Sequence, residues 1–172
     1  NYVRIGGVKH DMAPDVPGRC RENIAKIRGL LTDYDDVVTQ NRLFVDRLRG
    51  TGMLPREELI RYGVTGPLLR AAGVPLDLRK DQPYLKYAEV DFDVPIGEVG
   101  DNYDRYLVCV EEMQQSLRIV EQCLVALEKL GPGPVNVDDP RVRWPAKGRV
   151  FNAMEELIQQ FKAVTEGPMV PA

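Results

Sequence analysis

Asp101–Leu130, DNYDRYLVCVEEMQQSLRIVEQCLVALEKL, is the stretch whose reading decides the fold. Within it Tyr106, Val110, Met113, Leu117, Val120, Leu124 and Leu127 recur at alternating spacings of four and three, the period of an apolar seam on a helix that packs against other helices at a shallow angle. Asp101 is placed to cap the start. Asp104 takes the third helical position, a variant of the capping box that also suits the positive end of the helix dipole. Gly131-Pro132 ends the run. The spacing therefore predicts one long bundle helix with Leu117 at the centre of its seam. Gln115, off the seam, is expected to tolerate substitution.

The same period recurs on either side. Cys20, Ile24, Ile27 and Leu31 repeat it behind Pro17, and Val150, Met154, Leu157, Phe161 and Val164 repeat it near the end. A noisier helix is predicted from Asp33 to Arg49, with Asp33 as its cap and Val37 or Val38, Phe44 and Leu48 facing in. A short one is predicted from Pro55 to Tyr62. Between them the period changes to two: Val90, Phe92, Val94 and Ile96 alternate with Glu89, Asp91 and Asp93, which predicts a half-buried strand with an acidic face, confined by Pro95 to an edge or end. Tyr2–Ile5, Thr51–Leu54 and Val135–Val137 are its candidate partners. The expected class is α+β, mainly α: a helical bundle with a small antiparallel β-sheet, in a single domain over 1–172.

Composition excludes more than it assigns. A net charge of -3 with 28% charged residues lacks the clustered basic excess of a nucleic-acid binder. The sequence has no apolar run long enough to cross a bilayer and no basic-plus-apolar leader. Cys109 and Cys123 fall on one predicted helix roughly 21 Å apart, beyond the reach of one disulfide or one metal, and Cys20 is remote from both. With no CxxC pair and only His10 to assist, no metal ligand set is expected.

Candidate polar residues fall into two groups. Arg4 precedes Gly6-Gly7, where a fixed positive charge would face a redox group or a carboxylate, or form an ordinary ion pair. Without GxGxxG or GxxxxGK[ST] spacing, the two glycines read as a turn rather than a phosphate loop. In RAAGVPLDLRK, Arg70, Arg79 and Lys80 stand near Asp77, Asp81, Asp91 and Asp93, and guanidinium forks suit carboxylates. Structural ion pairs are expected there, and again at Asp104 and Arg105. No nucleophile and base stand at a recognisable spacing, so no catalytic residue is assigned.

RKDQPY (79–84), FDVPIGEVGDNYDRY (92–106) and MEELIQQFKAVTEG (154–167), with NYVRIGGVKHD at the start, resemble the forty-nine-kilodalton (bacterial D) subunit family of respiratory complex I, the NADH:quinone oxidoreductase. The resemblance covers essentially the whole chain. It implies a protein that, with an iron-sulfur neighbour carrying the terminal cluster, forms the pocket where quinone is reduced in electron transfer coupled to proton translocation. It implies that Arg4, Gly6 and Gly7 lie near that quinone and iron-sulfur site, because in the family this segment follows a histidine close to the cluster. The family's quinone ligands, a histidine and a tyrosine, belong to a region before Asn1, and a further region lining the cluster would follow Ala172. Asn1 in place of a methionine agrees with an excised segment.

The resemblance further implies that quinone, NADH and the clusters are held by other parts of the complex, and that the partners are other complex I subunits. It also implies a peripheral position on the cytoplasmic side of the bacterial inner membrane. The chain is expected to be mainly scaffold, to bind no cofactor and to be inactive alone. The alternatives are a non-catalytic assembly module or a relative of nickel-iron hydrogenase large subunits, although the cysteine pairs that bind nickel are not in this sequence. Apolar runs at Asn1–Val8 and Pro168–Ala172 predict self-association.

Overall fold

The computed structural model describes residues 2–167, so the Pro168–Ala172 run and Asn1 lie outside the described residues. The chain divides into two compact units, Asp15–Lys129, and Asn1–Pro14 with Leu130–Ala172. Each is built differently, and together they give the mainly helical α+β class expected.

The larger unit is organised by two long helices. α1 (Val16–Tyr34) opens with Pro17, whose fixed φ suits a first turn. α6 (Asn102–Leu130) starts where predicted, with Asp104 N–H donating to Asp101 Oδ1 at 2.8 Å. Ile24 and Leu31 of α1 meet Leu117 and Leu124 of α6 in one core, with Cys20 packed against it. Ion pairs Arg21–Glu128 at 2.5 Å and Arg28–Glu121 at 2.7 Å flank that core, and their reversed numbering marks an antiparallel pair. The predicted seam is only half used. Met113, Val120 and Leu127 remain 44%, 42% and 46% exposed, because a two-helix contact covers one stripe and leaves the next open.

Asp33 does not cap a new helix. α1 runs through it, widens into a π-helical turn at Asp35–Thr39, and a separate α2 (Arg42–Leu48) begins at Asn41, whose Oδ1 accepts from the amides of Leu43 (3.0 Å) and Phe44 (3.4 Å). The physical reason lies at Thr39. This buried residue shares a hydrogen bond with the Tyr106 hydroxyl at 2.8 Å, and its carbonyl accepts from the Tyr103 hydroxyl at 3.1 Å. Tying both ends of Thr39 to α6 holds the wide turn. Val38, not Val37, then turns inward with Phe44 and Leu48.

Short helices α3 (Arg56–Arg61) and α4 (Pro67–Ala71) close a second core of Leu59, Leu69 and Ala72. α5 (Leu78–Asp81) follows, capped by Asp77. A 3-10 turn at Tyr87–Glu89 leads into the segment predicted as a strand. That segment is extended but pairs with no strand: its alternation is kept, with Phe92 buried and Asp91 and Asp93 exposed, while Ile96 is half exposed rather than inward. Side chains of α6 take the place of the neighbouring strand. The Thr51–Leu54 run is not its partner either, since Thr51 O accepts from Asn102 N at 3.0 Å and Leu54 N donates to Gly100 O at 3.4 Å.

In the smaller unit β1 (Val3–Arg4) and β2 (Gly7–Val8) form an antiparallel hairpin, and Asn136 bridges to Gly7. Two of the candidate strand runs therefore meet each other instead of the acidic segment. α7 (Lys147–Val150) and α8 (Met154–Thr165) share the late apolar pattern, but three residues break it between them. Val150 is buried, whereas Met154, Phe161 and Val164 are more than 60% exposed.

Candidate functional site

The densest polar chemistry lies in the larger unit, along the α6 face that carries Glu112, Gln115, Arg118 and Gln122. Arg70 comes off α4 almost wholly buried. Its guanidinium pairs with Glu112 and donates to Leu76 O at 3.0 Å, leaving its buried Nε without a partner among the described residues. A buried charge is tolerated when paired and hydrogen-bonded, so α4 is pinned to α6 at this point. The Arg70 carbonyl also accepts from Gly97 N at 2.9 Å. A Cβ on Gly97 would meet Ala71 O at 2.5 Å, so only glycine admits this approach.

Asp77 and Arg79 form a second pair, fork to carboxylate. Arg79 Nε lies 2.9 and 3.1 Å from the two Asp77 oxygens and Nη2 2.5 Å from Oδ2, while the Arg79 amide donates to Oδ1 at 2.9 Å. The Arg79 guanidinium holds the Asp77 carboxyl below the usual carboxylate range against the opposing effect of burial, and the same bond raises Arg79. Lys80 forms no part of this pair. Its Nζ stands 4.4 Å from the centroid of Phe92, which also takes Arg79 at 4.9 Å.

The extended segment is then held by α6 residue by residue. Asp91 N donates to Gln122 Oε1 (2.8 Å) and Asp91 O accepts from Gln122 Nε2 (2.6 Å); Asp93 N donates to Gln115 Oε1 (3.0 Å). Arg118, between the two glutamines, pairs with both carboxylates. Gln115 thus has a structural role that its place off the apolar seam hides. A little further on, Asp104 Oδ2 gathers the amides of Glu98 (2.9 Å), Val99 (2.6 Å) and Gly100 (3.2 Å). Arg105 donates to the carbonyls of Gly52 and Gly100 and to Asn102 Oδ1. Asp104 and Arg105 therefore bind backbone and amide groups rather than one another. At Asp101 burial raises the carboxyl, but the amides of Asp104, Gly50 and Tyr103, with Arg49, outweigh it and leave it below the usual range. Burial, with Glu112, pushes the Cys109 thiol up, so it is not an activated nucleophile.

Arg4, Gly6 and Gly7 lie apart in sequence, in the hairpin of the smaller unit. Arg4 is exposed on β1. A Cβ on Gly7 would fall 2.2 Å from Val135 O, so this glycine is required by the close approach of the Val135–Val137 run, which also hydrogen-bonds Val8 N (2.8 Å) and Gly6 O (2.9 Å). Among the described residues no group of three or more His, Cys, Asp or Glu is placed to hold a metal, and no helix is long and apolar enough to cross a membrane. An apolar groove of about 710 Å³ runs between α1, the π turn and α6, lined by residues such as Leu30, Tyr34, Val38, Tyr106, Val110 and Met113.

Sequence reasoning placed Arg70 and Arg79 among acidic partners but missed Glu112, Gln115, Arg118 and Gln122. Their spacing of three, three and four was the available signal: a polar stripe of helical period, beside an acidic extended run.

Such a site is that of a helical scaffold module, with its charges turned inward on its own backbone. The chain belongs to the family described as respiratory-chain NADH dehydrogenase, 49 Kd subunit, which matches residues 1–172. It is 45% identical over 172 residues to the NADH-quinone oxidoreductase D 2 subunit of Anaeromyxobacter sp. (strain Fw109-5), covering 100% of this chain and 39% of that protein. It is 46% identical over 171 residues to the NADH-quinone oxidoreductase D subunit of Methylacidiphilum infernorum, covering 99% and 40%. With the NADH-quinone oxidoreductase C/D 2 subunit of Aquifex aeolicus the identity is 44% over 172 residues, 99% of this chain and 29% of the relative. The chain spans about two fifths of the length of the first two relatives.

Proposed function

We propose that this chain is the scaffold portion of a complex I subunit that, with an iron-sulfur neighbour, forms the quinone-reduction site of NADH:quinone electron transfer coupled to proton translocation. The observation that carries the scaffold role is the internal use of the polar side chains: Arg70, Glu112, Asp77, Arg79, Asp104 and Arg105 all bind groups of their own unit. The relatives' names support the wider reading, since each is a subunit of an NADH-quinone oxidoreductase. On this reading NADH, quinone and the clusters are bound elsewhere in the complex, and the iron-sulfur neighbour that holds the terminal cluster is the principal partner. The chain sits peripherally on the cytoplasmic side of the bacterial inner membrane. Arg4, Gly6 and Gly7 are the segment's nearest approach to the quinone and cluster.

Substitution of Arg70 in the host's enzyme tests the scaffold role. Arg70→Met should lower the amount of assembled enzyme while leaving turnover per assembled complex close to wild type. Full assembly with turnover abolished would mean that Arg70 takes part in the chemistry, and the scaffold reading would be wrong.

A further inference from the structure

We propose that Tyr84 and Leu85 form a rigid apolar knob that seats in an apolar socket on a neighbouring protein subunit. The inference rests on the reading of the chain as one subunit of a multi-subunit enzyme. Two independent observations meet at Leu85. Among the described residues it is the one non-glycine with positive φ, at 51°, and it is 89% exposed, more than any other large apolar side chain described. It occupies the first central position of a turn closed by Tyr87 N–H to Tyr84 O at 3.2 Å. Positive φ at that position favours Gly, Asn or Asp, since an L side chain there crowds the following carbonyl. Leucine is therefore unfavourable twice, by conformation and by exposure. Neither cost is recovered inside the chain's own fold, and strain of this kind is retained where a function uses it.

The knob is also held stiffly. Tyr84 packs edge-on against Tyr87 at 4.9 Å between ring centroids, and Tyr87 packs edge-on against Phe92 at 6.3 Å. Phe92 is 1% exposed and is covered by Arg79 and Lys80. An aromatic ladder thus runs from the buried interior to the tip, so that little conformational freedom remains to be lost on docking. The surroundings favour a protein partner over an anionic bilayer. Lys86 is paired with Glu89 at 2.5 Å, Asp81 stands at the base of the loop, and no free cluster of cations adjoins the tip to draw it to acidic headgroups.

The test replaces Leu85 with asparagine, which accepts positive φ and removes the apolar side chain, and uses Leu43→Asn, on the exposed face of α2, as the control. Two readouts are needed: the thermal midpoint of the chain, and the yield and salt resistance of the NADH:quinone oxidoreductase purified from cells carrying the variant. The expected result is a midpoint equal to wild type or raised by about 2 °C, together with a several-fold loss of assembled enzyme. Leu43→Asn should leave assembly unchanged. Assembly unaffected by Leu85→Asn would overturn the proposal, as would a lowered midpoint, because the side chain would then be serving its own fold. Loss of binding to anionic vesicles with assembly intact would also overturn it, assigning the knob to a lipid surface. If the wild-type chain itself fails to enter the enzyme, the subunit reading falls first and the knob with it.

Discussion

One helix, α6, presents two faces that hold their neighbours by different means. On one, Leu117 and Leu124 interlock with Ile24 and Leu31 of α1, and the contact is apolar burial flanked by exposed ion pairs. On the other, Glu112, Gln115, Arg118 and Gln122 grip α4 and the extended segment through charge and hydrogen bonds. The apolar face is non-directional and tolerates sliding, whereas the polar face fixes one position of the chain against each side chain. The contrast shows how a helix can stand in for a strand: two glutamines, two turns apart, supply the partners that a neighbouring backbone would supply in a sheet.

The comparison can be broken most strongly at its buried ion pair. Arg70→Met should cost about 3–5 kcal/mol by leaving Glu112 and Leu76 O short of a partner, and Arg70→Met combined with Glu112→Leu should cost clearly less than that. Urea unfolding of the three chains decides it, and an additive double variant would mean that the pair is not coupled. On the apolar face, Leu117→Ala should cost about 2–5 kcal/mol. Met113→Ala, at a half-exposed seam position, should cost under about 1 kcal/mol. Equal losses would show that the groove beside Met113 is as well packed as the core.

Acid sharpens the same contrast, because the polar contacts titrate and the apolar ones do not. Asp77 and Asp101 are both held below the usual carboxylate range. Their contribution is therefore fully present above about pH 4, where an unfolded aspartate ionises, and is lost as pH falls through the lower folded values. Stability measured from pH 6 downward should decline along that limb, and the decline should be shallower in Asp77→Asn and in Asp101→Asn. An unchanged limb in both would contradict the assigned shifts.

The legible part of the fold was the part written in period. The start and end of α6, the core positions of α1 and the short α3 follow from apolar spacing and turn residues. The same spacing overstated the seam, because periodicity identifies an apolar stripe without saying which of two adjacent stripes meets a neighbour. The break after Thr39 was hidden, since it depends on Tyr103 and Tyr106, more than sixty residues away. The acidic segment was read correctly as alternating and extended, yet its partner was sought among strands, as a polar helix face is read by default as facing water. For the same reason Arg70 and Arg79 were visible as cations near carboxylates, whereas Glu112, Gln115 and Gln122 were not.

Gln115 and Gln122 offer the most direct test, since on the proposed account they replace a β partner for the backbone at Asp93 and Asp91. Each glutamine-to-alanine change should cost about 0.5–1.5 kcal/mol. Amide hydrogen exchange at those two positions, compared between wild type and the Gln115→Ala/Gln122→Ala chain, measures the substitution itself. The account predicts that both amides are protected in wild type and that their protection is lost in the variant while that of α1 and α6 is retained. Protection that survives in the variant, or that falls equally throughout α6, would contradict it.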